Sequence, residues 1–84
     1  MITKDQAKTQ PKVVYYIARN GRIQRARVTG KFKEWKRDGR FRLPCKFGDY
    51  YNLAVDNNTA HDFYLTVEEA IAEHPNAELQ KGLQ

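Results

Sequence analysis

The sequence predicts a mainly β protein: a small antiparallel five-stranded barrel, SH3-like, with one short C-terminal helix. Three observations carry this. From Lys12 to Phe63 apolar and polar residues alternate with a period of two. Turn pairs separate the runs, at Asn20–Gly21, Asp38–Gly39 and Gly48–Asp49, with Asp56–Asn58 closing the last. Helical spacing occurs only late, between Thr66 and Pro75. The same pattern also fits a twisted open antiparallel sheet packed on the helix, an α+β arrangement.

The first strand, "KVVYYIAR", is rich in β-branched and aromatic residues. A two-residue type I′ turn at Asn20–Gly21, with positive φ at both positions, pairs Tyr16 with Arg25, Tyr15 with Ala26 and Val13 with Val28. Val13, Tyr15, Ile17, Ala26 and Val28 then form a core face, and Val14, Tyr16, Arg25 and Arg27 a wet one. "RFRLPCKF" turns Phe41, Leu43, Cys45 and Phe47 inward and Arg40, Arg42 and Lys46 outward. Pro44 has no N–H to donate, so a free edge or a bulge is expected beside it. "YYNLAV" directs Tyr51, Leu53 and Val55 inward, and "HDFYL" is a short strand. Thr66 caps the helix, with Glu69 three residues on completing a capping box, and Pro75 ends it. Val67, Ala70, Ile71 and His74 share one face. The expected core is Val13, Tyr15, Val28, Phe32, Phe41, Leu43, Leu53 and Phe63, capped by Ile71.

The organisation follows from composition. Eighty-four residues make one domain with a small core. Residues 1–11 are polar and aperiodic and are expected to be a disordered tail. Residues 12–75 form the β-barrel domain with its helix, and 76–84 a frayed tail. No apolar run approaches the roughly 20 residues of a membrane span, and the N-terminus has no apolar signal region. The single cysteine, Cys45, cannot form an internal disulfide and reads as a core residue. A cytoplasmic protein with no membrane association is expected.

Charge is the feature that points toward function. The net charge is +5, but it is unevenly placed. Residues 19–46 carry eleven Lys and Arg against Glu34 and Asp38, whereas 47–84 carry Lys81 against seven acids. A basic middle attracts anionic partners over long range. The expected wet face collects Arg25, Arg27, Lys31, Lys33, Arg40, Arg42 and Lys46, with Tyr16 among them as a stacking platform. Cations displace counterions from a phosphate backbone, and aromatics give bases a plane. The competing explanation is a solvated sheet whose Lys and Arg guard its edges against aggregation.

Trp35 is a point of conflict. A regular strand from Val28 points Val28, Phe32 and Glu34 inward and Trp35 outward. That buries Glu34 without an evident partner. A bulge near Lys33–Glu34 would return Glu34 to water and turn Trp35 in against Phe41, and it is the expected arrangement.

No catalytic constellation is visible. His61 and Asp62, read as adjacent strand residues, point to opposite faces. Asp49, Asp56 and Asp62 sit at turns, where Asp bonds the local backbone. No spacing fits a metal site and no glycine pattern fits a phosphate loop, so no metal and no cofactor are expected. With no nucleophile paired to a base, the protein is not expected to be an enzyme.

The segment "GKFKEWKRDGRFRLPCKFGDYYNLAVDNNTAHDF", Gly30 to Phe63, resembles a group of small phage and mobile-element proteins of unknown function. The shared pattern is a Trp-Lys-Arg turn, a strand containing Pro and Lys, a Gly-aromatic step and an Asn. The resemblance implies a mobile-element origin and brings no activity. Two functions remain. The first is a nucleic-acid-binding module, for DNA or RNA, directed at phosphates with little sequence preference. The second is a protein-interaction module, such as an inhibitor of a host enzyme, that offers the same basic face to an acidic protein surface.

Overall fold

The computed structural model describes residues 1–79. The elements in order are α1 (Lys4–Lys8), β1 (Val13–Ile17), β2 (Arg22–Val28), β3 (Lys33–Trp35), β4 (Arg40–Phe47) and β5 (Tyr51–Asp56). A 3-10 turn (Ala60–Asp62), β6 (Phe63–Tyr64), α2 (Val67–Glu73) and β7 (Glu78–Leu79) follow. All seven strands belong to one sheet, which is antiparallel except for the β2–β7 pair.

The sheet is open. It is not the closed five-stranded barrel, and the twisted open sheet is the architecture that fits. The path runs β3–β4–β2–β1–β6, with β5 on the far side of β4 and β7 beside β2. α1 lies on the concave side of the curved sheet. Its Ala7, and Ile2 just before the helix, are buried in the main core, and the Ile2 N–H donates to Ala60 O at 3.1 Å. The expected disordered tail is therefore an ordered, packed segment. Thr3 and Gln6 form a reciprocal capping box that starts α1. Gln10 then bonds the bend after β2, donating to Gly30 O and accepting from Phe32 N, both at 2.7 Å. Of the expected frayed tail, Glu78–Leu79 form β7, and residues 80–84 lie outside the described residues.

The β1–β2 hairpin is one residue out of the expected register. Val14 faces Ala26, Tyr15 faces Arg25 and Tyr16 faces Gln24. The cause is the turn. Gly21 N–H donates to Ala18 O, and Ala18 N–H to Arg22 O, both at 2.9 Å. Gly21 alone has positive φ, +79°, so Asn20 is not left-handed. This is a three-residue loop, a type I turn followed by a left-handed glycine, and Asn20 Oδ1 accepts from Arg22 N–H at 3.0 Å. A slip of one residue exchanges the faces of β1. Val14 and Tyr16 are buried in the core, and Val13 and Tyr15 stand on the opposite side. β2 keeps its faces, with Ala26 in and Arg25 and Arg27 out.

β2 and β3 together form one bent strand along β4. Arg27 faces Lys46 and Val28 faces Cys45, and Lys33 then faces Arg42. The pairing advances by two residues at the bend. Thr29 and Gly30 N–H both donate to Pro44 O, at 3.0 and 3.3 Å. The disruption expected opposite Pro44 is present. A Cβ on Gly30 would lie 2.7 Å from Pro44 Cγ, so only glycine fits this close approach. Because two residues are inserted, parity survives the bend. Phe32 packs on the core, and Trp35 faces out, 43% exposed. The expected bulge at Lys33–Glu34 is absent.

The sheet has apolar clusters on both sides. The concave side holds Ile2, Val14, Tyr16, Leu43, Cys45, Val55 and Phe63, with Val28, Phe32 and Leu53 packed around them. The convex side holds Ile23, Tyr64 and Ala70, with Tyr15, Ile17 and Val67, under α2. Thr66 caps α2 by accepting from Glu69 N–H at 3.2 Å. Ile71, the expected cap of the core, is 39% exposed instead. Tyr64 hydroxyl donates to Glu73 at 2.8 Å, and His74 Nε2 lies within hydrogen-bond distance of the same hydroxyl, also at 2.8 Å. Burial first, and then the Glu73 carboxylate, push Tyr64 up to about 12.

Candidate nucleic-acid interface

Residues directly opposite on paired strands project to the same face. Arg27 with Lys46, Lys33 with Arg42, and Trp35 with Arg40 therefore lie on one face. Arg25, two residues before Arg27, joins them, and Lys31 lies exposed at the bend. Six of the eight expected binding residues thus gather along the convex side of β2, β3 and β4, with Lys31 at the bend between β2 and β3. All seven are exposed except Lys46, which is half-buried. From Arg40 to Lys46 the strip is about 20 Å long, at about 3.3 Å per residue.

The eighth, Tyr16, is not on this face. It is 8% exposed, its hydroxyl donates to Gln24 Oε1 at 2.5 Å, and its ring packs against Phe47 and Phe63. It cannot stack on a base. The register shift that buried it brought Tyr15 to the convex side, but Tyr15 packs beneath α2. The aromatic on the basic strip is Trp35. Arg40 lies over its ring at 5.5 Å, and Asp38 holds the guanidinium at 3.0 Å. Sequence parity alone would have found it, had the cost of burying Glu34 not argued for a bulge.

Electrostatically the strip is only sparsely compensated, by Asp38 on Arg40 and by Asp56 opposite Arg42. Among the described residues, Arg25, Arg27, Lys31, Lys33, Arg42 and Lys46 form no ion pair. Arg27 donates to Gly48 O at 3.1 Å. Asp56 faces Arg42 from β5 without forming an ion pair, and its Oδ1 accepts from Asn58 N–H, Thr59 N–H and the Thr59 hydroxyl. Like charges opposite one another across strands are destabilising. At the other end of the convex side stands α2 with Glu68, Glu69 and Glu73, an acidic border to the basic strip.

The remaining polar candidates are placed elsewhere. Ala60–Asp62 is a 3-10 turn and not a strand, and His61 Nε2 lies 3.3 Å from the Asp62 carboxylate, both side chains exposed. Cys45 is buried, and its burial pushes the thiol up to about 11, away from the reactive thiolate. Among the described residues no three His, Cys, Asp or Glu side chains are grouped to hold a metal, and no helix is long and apolar enough to cross a membrane. The chain matches no family model, no curated protein and no solved structure.

Proposed function

We propose that this protein is a small basic module that binds nucleic acid, chiefly through phosphates and with little sequence preference. The observation that carries this reading is the pairing of cations across strands, Arg27 with Lys46 and Lys33 with Arg42, none of them held in an ion pair among the described residues. A sheet that only needed a wet face would alternate signs and gain from it. Here the folded chain holds cation against cation, which a phosphate backbone would relieve.

The test is a titration of single- and double-stranded oligonucleotides at two salt concentrations. Log K should fall with log salt by about 0.9 per duplex phosphate neutralised. A strip of several cations should give a slope of a few units. Absence of binding to any oligonucleotide near 50 mM salt, a condition in which phosphate-directed binders hold tightly, would reject the reading. An acidic protein surface would then be the better partner for the same strip.

A further inference from the structure

We propose that the cavity beside Trp35 receives one unpaired nucleotide of a single strand, with the base against the indole and its phosphate on Arg42. This rests on the nucleic-acid reading above and assigns a site within it. The cavity, about 360 Å³, lies between the β3–β4 turn and the turn after β5. That is within the usual range for small-ligand sites, roughly 300–1,000 Å³.

Its walls are fixed and its polar groups are free. Arg40, clamped between Asp38 and the indole, holds the ring in place. Arg42 forms no ion pair among the described residues. The floor is set by Asn57, which accepts from Phe41 N–H at 2.9 Å and donates to Gly39 O at 3.2 Å. Asn58 lines the same cavity, and among the described residues its side-chain amide makes no hydrogen bond. Asp56 Oδ2 is likewise uncommitted, since the turn uses Oδ1.

These groups differ in what they accept. An anionic phosphate is repelled by Asp56 and attracted by Arg42. A base offers an N–H donor to Asp56, the ring N3–H in the case of thymine, and donors or acceptors to the Asn58 amide. The bound nucleotide is therefore oriented, its base edge toward Asp56 and Asn58 and its phosphate toward Arg42. A paired base inside a duplex has neighbours on both faces and its edge engaged, so it cannot lie on the indole. The neighbouring phosphates of the strand continue over Lys33, Lys46 and Arg27.

Trp35 is the single tryptophan, so its fluorescence reports this site directly. The probes are an oligothymidine of about 12 nucleotides, within the span of small single-strand binders, a duplex of equal length, and a mononucleotide. The oligothymidine should quench Trp35, while the duplex binds without quenching. Trp35→Ala and Asn58→Ala should each weaken single-strand binding, by about tenfold for the tryptophan, and leave duplex binding unchanged. Both positions are exposed, so circular dichroism of the variants should match the wild type. Single strands that bind without quenching, or variants that bind them normally, would overturn the assignment and leave the phosphate-directed reading standing. A mononucleotide that binds as tightly as the strand would also overturn it, in favour of a free-nucleotide site. Binding of no oligonucleotide at low salt would reject both.

Discussion

Lys4 Nζ lies 3.0 Å from the Glu34 carboxylate, joining α1 to β3 across the concave side of the sheet. Glu34 faces Phe41 and turns inward, its side chain only 18% exposed. The lysine supplies the partner that lets β3 run regularly and so leaves Trp35 outside. The hydrogen bond from Lys4 holds the Glu34 carboxyl below its ordinary value of 4.5, helped by the charges of Lys4, Lys8 and Lys36. A depressed folded pKa stabilises the native state above the unfolded value, and that contribution is lost as pH falls through the folded one. Glu34→Gln should therefore make stability less steep in pH below 4.5, in thermal melts compared with the wild type. Glu73, lowered first by the Tyr64 hydroxyl, leaves part of the slope in place.

Ile2 is 1% exposed and Leu43 fully buried in the same cluster. Ile2→Ala and Leu43→Ala should each cost about 2–5 kcal/mol, as large-to-small core changes do. The denaturant midpoint is the measurement. An unchanged midpoint for Ile2→Ala would mean that the first residues do not pack on the sheet.

Gly21 has φ +79° and open space where a Cβ would go. Gly21→Val therefore meets no neighbour, and its cost is the backbone strain of a β-branched residue in the left-handed region. At least about 1 kcal/mol should be lost. Asn20→Ala, at a position with negative φ, should cost less, because it removes only the side-chain bond to Arg22 N–H.

The parts of this fold legible in the sequence were those set by local chemistry. The positions of the turns, the parity of β2 and β4, the Thr66 cap and the Pro44 irregularity all follow from residue type. What escaped was set by counting and by distance. One more loop residue at Ala18–Arg22 inverted β1, moving Tyr16 from the expected binding face to the core. The five residues of α1 look polar, and only packing against the sheet makes Ile2 and Ala7 core residues. Glu34 looked unpartnered because its partner is thirty positions away in sequence. The basic face survived these errors because β2 and β4 carry most of it, and their parities were right, although the bulge expected in β3 was not.

Tyr16 and Tyr64 are both pushed up to about 12, in each case mainly by burial. A raised folded pKa favours folding fully below the unfolded value of 10 and loses that contribution as pH rises through about 12. Stability should drop across that interval. Tyr64→Phe should show a shallower drop than the wild type, with the discharge of lysines common to both. Ultraviolet titration should find two tyrosines ionising late, together with unfolding.

Lys33 and Arg42 face each other across β3 and β4, and they give the basic strip a test that separates binding from solvation. If the strip is held together against its own repulsion, removing one cation should help the fold. Lys33→Gln should raise stability by about 0.2–1 kcal/mol at low salt, the scale of a cross-strand pair. The gain should vanish in about 1 M salt, where the screening length is near 3 Å. The same change should weaken oligonucleotide binding and flatten the salt slope by roughly one unit, as the loss of one phosphate contact does. Arg25→Ala with Arg27→Ala should flatten it by roughly two, for all sequences alike, although Arg27 also bonds Gly48 O and some stability goes with it. A strip that merely solvates the sheet would show the same stability gain but no oligonucleotide affinity to lose and no change in any salt slope. Stability gained and affinity lost, in one variant and at one salt concentration, is the result expected of a surface kept for an anionic partner.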